Sequence, residues 1–233
     1  MNADQSLDSL AALAPAAARQ RLRLRYAKSG DARFVGHLDE ARFWERVCRR
    51  AGLPLAYSQA FNPQPKIHFA AALPVGVEGE NELLDVWLLE QVAPEAWLPR
   101  LLANLPPDFQ IHAIAEVALD APAMQSILDM ADYELRFAAE ADRTVLAGRS
   151  LLAGRVDLLL AQPSLPRPQR KDPQKSYDLR PLIVRAEVLP TAPTIALRLL
   201  AAGRITEVVA ALGLENHPHR QVRTGLILRQ IGE

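Results

Sequence analysis

Two hydrophobic periods take turns along this chain, and their order limits the folds open to it. Between Arg21 and Tyr26 apolar and basic residues alternate: Leu22, Leu24 and Tyr26 point one way, Arg21, Arg23 and Arg25 the other. A period of two is a half-buried strand, here with guanidinium groups along its exposed face. From Leu38 the apolar residues Ala41, Trp44, Val47, Cys48 and Ala51 follow at steps that fit a helix. Gly52 stands where a helix C-cap belongs, and Pro54 cannot continue the helix. Strands are predicted over 55–57, 67–71 and 81–89, a helix from Pro94 to 104 opened by its proline, and a strand over 109–119. The order β-α-β-β-α-β is that of a split ferredoxin-like unit.

The second half follows the same order without a residue-level repeat. A strand is predicted over 133–139, a helix over 144–160, a hairpin from 176–189 and 194–200, a helix over 205–212 and a last strand over 222–228. The expectation is therefore an α+β fold of two ferredoxin-like halves with mostly antiparallel sheets. Residues 1–18 would form a mobile leader, 19–120 one half and 121–233 the other. A length of 233 residues and 49% hydrophobic content suit two domains of about 100–130 residues.

Charge gives a second constraint. Lys+Arg and Asp+Glu both number 27, so the net charge is zero. The zero is a cancellation of blocks. Residues 1–18 carry 2 acids; 19–70 carry 11 basic and 4 acidic residues; 71–160 carry 5 and 15; 161–233 carry 11 and 6. Local fields, not the total, decide what a surface attracts. Cys48 is the one cysteine, so an intrachain disulfide, a paired-CxxC zinc site and an iron–sulfur cluster held by this chain's thiolates alone are excluded. No cofactor is expected in this chain. The apolar runs are too short for a membrane helix, and the start lacks the basic region of a secretory signal; a cytoplasmic location is expected.

The candidate binding residues are mostly basic. Arg23 and Arg25 share the strand face, Lys28 and Arg33 flank the following turn, and Lys66 closes the stretch Phe61-Asn62-Pro63-Gln64-Pro65-Lys66. Guanidinium groups bind phosphates bidentately, and Tyr57 and Phe61 could stack bases beside them. The competing reading pairs these arginines with the acidic Glu78, Glu80, Glu82 and Asp85. Lys175, Asp178 and Arg180 form either a polar site or an ordinary ion pair. His37, two residues before Asp39 at a helix start, is a candidate general acid–base or a group that fixes a loop by hydrogen bonds. The five histidines are too scattered in sequence to suggest a metal site.

The wording Arg25-Tyr26-Ala27-Lys28-Ser29-Gly30-Asp31, Arg33-Phe34-Val35-Gly36-His37-Leu38-Asp39, Ala51-Gly52-Leu53-Pro54 and 61–66 resembles a bacterial family of unknown function, the radical-SAM-linked domain. That domain occurs alone or joined to radical S-adenosylmethionine proteins. Tyr177-Asp178-Leu179-Arg180-Pro181 and Arg223-Thr224-Gly225-Leu226 resemble its C-terminal wording. Gly36 and Gln64 depart from it, standing where the family often has serine and histidine. The resemblance implies a radical S-adenosylmethionine enzyme on a separate chain as partner, and RNA as a further one. The leading expectation is a non-catalytic, RNA-binding or substrate-presenting partner of such an enzyme. The competitors are a metal-independent endoribonuclease resembling CRISPR repeat-processing enzymes, with His37 as acid–base, and a pure protein-interaction module.

Overall fold

The Arg21–Tyr26 alternation forms strand β1 (Gln20–Lys28), and the helical period forms α1 (His37–Ala51). Both belong to a computed structural model that describes residues 17–137, 149–169, 172, 174–190 and 192–230. Nearly all of the predicted leader, residues 138–148 and Arg170 and Lys171 lie outside the described residues. Helix α1 ends as its sequence requires: Gly52 is left-handed, and the amides of Gly52 and Leu53 donate back to Arg49 and Cys48.

The remaining elements are β2 (Ile67–Phe69), β3 (Val77–Leu88), α2 (Pro94–Leu102), β4 (Phe109–Val117), a single turn α3 (Met124–Ile127) and β5 (Leu128–Phe137). Then follow α4 (Arg149–Ala161), β6 (Pro166–Pro168), β7 (Ser176–Asp178), β8 (Ile183–Val188), β9 (Thr194–Leu200), α5 (Ile205–Ala211) and β10 (His219–Leu228). The predicted strand over 55–57 is reduced to isolated bridges at Leu55 and Tyr57. The predicted strand 176–189 breaks in two because Arg180–Leu182, with Pro181, forms a 3-10 turn.

Eight strands form one mixed sheet in the order β4-β1-β3-β10-β5-β9-β8, with β2 also on β3; β6 and β7 make a separate hairpin. Every pairing is antiparallel except β3–β10, a parallel seam of three residue pairs. Each half has the spatial order fourth-first-third-second: β4-β1-β3-β2 and β10-β5-β9-β8. Strand β3 gives one end of its free edge to β2 (Leu84–Val86) and the other to β10 (Val77–Gly79).

A single cross-strand row passes through the sheet: Phe109, Lys28, Gly79, Arg223, Tyr133, Leu197 and Ala186. All seven are buried, and the row carries the helix-covered face from one unit into the other. On that face Trp44, Val47 and Cys48 of α1 pack with Leu22, Leu24, Leu84 and Val86. In the second unit Leu152 and Val156 of α4 and Val208 of α5 pack with Leu135, Ile195 and Leu197.

Two bulges break the period of two at the seam. Between the pairs Tyr26–Glu82 and Lys28–Gly79, β3 carries one residue more than β1; between Arg223–Tyr133 and Gly225–Asp132, β10 carries Thr224 as an extra residue. The first bulge turns Glu82 toward the helices and Asp85 away from them. The side-chain amide of Asn81 donates to the Thr224 carbonyl at 2.9 Å and ties one bulge to the other.

Lys28 shares the helix-covered face and is fully buried. Its Nζ donates to Glu40 at 2.7 Å and to the Val35 carbonyl at 2.8 Å, and the Tyr26 hydroxyl donates to Glu40 at 2.6 Å. Lys28 was expected to join a phosphate-binding face; its place in the row puts it in the core instead. Removing one partner of a buried pair leaves the other charge uncompensated. Lys28→Met should therefore cost about 3–5 kcal/mol in denaturant unfolding. Lys28→Met/Glu40→Gln, which removes both charges, should be the more stable of the two variants.

Candidate functional site

The helix-free face of the sheet carries the arginine row, and there the acidic middle of the sequence meets the basic segments. Asp85 accepts from Arg21 at 3.0 and 2.5 Å and from Arg23 at 2.8 and 2.9 Å. Arg21 also donates to the carbonyls of Ala121 and Pro122, lies 4.6 Å over the Trp87 ring and is buried. Farther along, Glu78 takes Arg220, Arg136 bridges Glu80 (2.6 Å) and Glu134 (2.7 Å), Arg198 meets Asp132 (2.7 Å) and Arg185 meets Glu187 (2.5 Å). The reading that pairs the arginines with the acidic segment is the one the geometry shows. Among the three arginines of β1, Arg25 is the exposed member, in a groove with Ser29, Glu80, Asn81, Gln110 and His112 that none of the other predicted cations lines.

The other predicted residues are dispersed. Arg33 donates to the Gly30 carbonyl at 2.7 Å, lies over the Phe34 ring and stands 3.7 Å from Glu78. Lys66 enters β2 through backbone bonds with Ala56 and Trp87. Tyr57 sits under Arg49, whereas Phe61 and Asn62 are exposed on their loop. Asp39 pairs with Arg42 and Lys175 with Asp172, both at the surface. Asp178 accepts the backbone amides of Leu165 (2.7 Å) and Arg180 (2.9 Å), which hold its carboxyl below the usual range. Arg180 donates to the carbonyls of Leu160 and Ile183. Asp178 and Arg180 thus fasten the connection between α4 and β8 and form no open site.

The largest concavity among the described residues lies on the helix-covered side, at the seam between the units, and His37 stands on its wall. This cleft has a volume of about 750 Å³. One wall is His37 with the segment 71–75; the other is 200–206; Leu128, Ala131, Tyr133, Arg223 and Leu226 complete it. Arg223 meets Glu82 through two bonds of 2.8 and 2.5 Å and donates to the carbonyls of Ala72 (3.2 Å) and Ala71 (3.1 Å). The guanidinium therefore anchors the wall 71–72 to the seam. A second cavity of about 530 Å³ shares His37, Ala71 and Ala72 and adds His68, Phe69 and Gln125. The His37 ring meets the Phe69 ring edge-on at 5.1 Å.

Of the predicted site residues the cleft contains His37 alone. Tyr133, Arg204 and Arg223 were missed. Arg223 had a signal: a lone charge in an apolar strand, inside the wording Arg223-Thr224-Gly225-Leu226. Tyr133 and Arg204 had none, because only the pairing of β10 with both β3 and β5 brings them there. Among the described residues, no group of three or more His, Cys, Asp or Glu side chains is placed to hold a metal ion.

A family model described as an uncharacterized protein conserved in bacteria (DUF2344) matches residues 21–210. The chain belongs to that family. The matched span takes in β1 through α4 and on to β9 and His37, and ends before β10 with Arg223. No curated protein matches the chain. No helix among the described residues is long and apolar enough to cross a membrane.

Cys48 is the remaining nucleophile to place. It is buried on the inner face of α1, and burial pushes its thiol up to about 12. Iodoacetamide at pH 8 should leave Cys48 unmodified in the native protein and label it fully in denaturant; rapid native labelling would show that the α1 core opens. Asp85→Ala should strand a buried guanidinium and cost about 3–5 kcal/mol, against about 1 kcal/mol for Arg23→Ala, measured by urea unfolding.

Proposed function

We propose that the chain presents a substrate to a radical S-adenosylmethionine enzyme carried on a separate polypeptide. The observation that carries this reading is the cleft at the seam. It is the largest concave site described, its walls come from both units, and few polar groups converge on it, as in a ligand site. The radical enzyme enters through the resemblance of 25–66 to a domain joined to such proteins. Cys48, buried and protonated, supplies no cluster ligand, so the radical chemistry falls to the partner.

Substrate presentation has better support than RNA binding through the first strand. Arg21 and Arg23 are held by Asp85, Lys28 is buried on Glu40, and phosphate would have to compete with these carboxylates. The interaction-module reading relied on a free acidic segment; Glu78, Glu82 and Asp85 are buried in internal pairs. Each unit, with antiparallel order fourth-first-third-second and two helices on one face, is read here as ferredoxin-like. The site is then the trough between two such units joined edge to edge.

Affinity capture of the tagged chain from its native bacterium, under anaerobic conditions, tests the partnership. Enrichment of a protein bearing a radical S-adenosylmethionine cluster motif, reproduced by coelution of the two purified proteins, is the expected result. Coelution failing with every such enzyme of that organism would overturn it.

A further inference from the structure

We propose that the seam cleft binds an organic anion with an apolar body, the anionic group lying between Arg204 and His37. This names the ligand class of the site and rests on the cleft being a substrate site. Three observations carry it.

The first is charge. Among the described residues lining the cleft the ionisable side chains are His37, Tyr133, Arg204 and Arg223, with no carboxylate, in a chain whose acids equal its bases. The acids paired with lining cations are Glu82, held by Arg223, and Glu207, held by one nitrogen of Arg204. Charge complementarity therefore favours an anion.

The second is unspent donors on opposite walls. Arg204 uses Nη1 for Glu207 at 3.0 Å and rests 6.0 Å over the Tyr177 ring, leaving Nε and Nη2 without hydrogen-bond partners among the described residues. The His37 ring has its contact with Phe69 and, among the described residues, no hydrogen bond at either nitrogen. Arg223, in contrast, is occupied by Glu82 and two carbonyls and serves to fix the wall. A planar guanidinium with a free edge takes a carboxylate or a phosphoryl group through paired hydrogen bonds.

The third is the body of the cleft. Leu73, Val75, Ala131, Leu200 and Leu226 line it, so the remainder of a ligand meets hydrocarbon. Its volume of about 750 Å³ falls within the range of small-molecule sites. An ion without an apolar part would leave these walls wet, and an apolar ligand without a charge would leave Arg204 and His37 unused.

Two fluorescent probes of similar shape separate the contributions: 1-anilinonaphthalene-8-sulfonate, which carries an anion, and neutral N-phenyl-1-naphthylamine, which does not. The sulfonate should bind one-to-one and about tenfold tighter than the neutral probe, the effect of one charge-assisted contact. Arg204→Gln should remove that preference, and His37→Gln should reduce it, with neutral-probe affinity unchanged. Ala202→Trp, at an exposed lining position, should abolish binding of both. Octanoate and octyl phosphate should displace the sulfonate, and their ratio assigns the anion as carboxylate or phosphate.

Equal affinity of the two probes, or a preference that survives Arg204→Gln/His37→Gln, overturns the anion assignment. Should Ala202→Trp still remove neutral-probe binding in that case, the cleft stands as an apolar substrate site. Probe binding indifferent to Ala202→Trp overturns the site itself. None of these outcomes depends on finding a radical enzyme partner.

Discussion

The buried pair of Arg223 and Glu82 is the interaction on which the junction of the two units turns. Two charges removed from water are tolerable only when each is fully matched. Here the guanidinium meets the carboxylate through two bonds and spends its remaining reach on the Ala71 and Ala72 carbonyls. In a regular strand Glu82 would face away from Arg223; the bulge on β3 between Gly79 and Glu82 rotates it onto the same side. Gly79 completes the arrangement, because a Cβ there would lie 2.5 Å from the Glu82 side chain. The same pair that joins the units thus shapes the wall and floor of the cleft between them.

The zero net charge has a structural meaning. The basic first segment, the acidic middle and the basic last third are brought to adjacent strands, with β3 lying between β1 and β10. Carboxylates of β3 bind arginines from both sides: Asp85 takes Arg21 and Arg23, while Glu78 and Glu82 take Arg220 and Arg223. A segmental charge pattern that suggests a basic surface in sequence therefore becomes internal neutrality in space.

The element order and most strand and helix positions were legible in the sequence, because hydrophobic period and the Gly52 cap are local signals. The alternation of β1 was legible too, including which way its arginines point. Their availability was not, since it depends on Asp85, 62 and 64 residues away. Lys28 misled because it immediately precedes the apparent turn at Ser29 and Gly30, while its parity with Leu22, Leu24 and Tyr26 already placed it on the core face. The cleft was almost invisible: His37 was noticed for its helix position, but Arg204, Tyr133 and Arg223 meet it only through the parallel seam. Bulges, which shift parity by one residue, leave no period to read.

The seam also sets an order of events for folding. Glu82 and Arg223 are 141 positions apart, and three residue pairs hold β3 to β10. A contact of that sequence separation closes a very long loop for a short reward, which makes it a late and slow step. Until β10 arrives, Glu82 sits in the first unit without its cation, and the edge of β3 at Val77–Gly79 is unpaired. A nascent chain therefore exposes a sticky edge beside a lone carboxylate, whose charge discourages other strands from docking there. The residue that later locks the two units together first guards the place where they will meet.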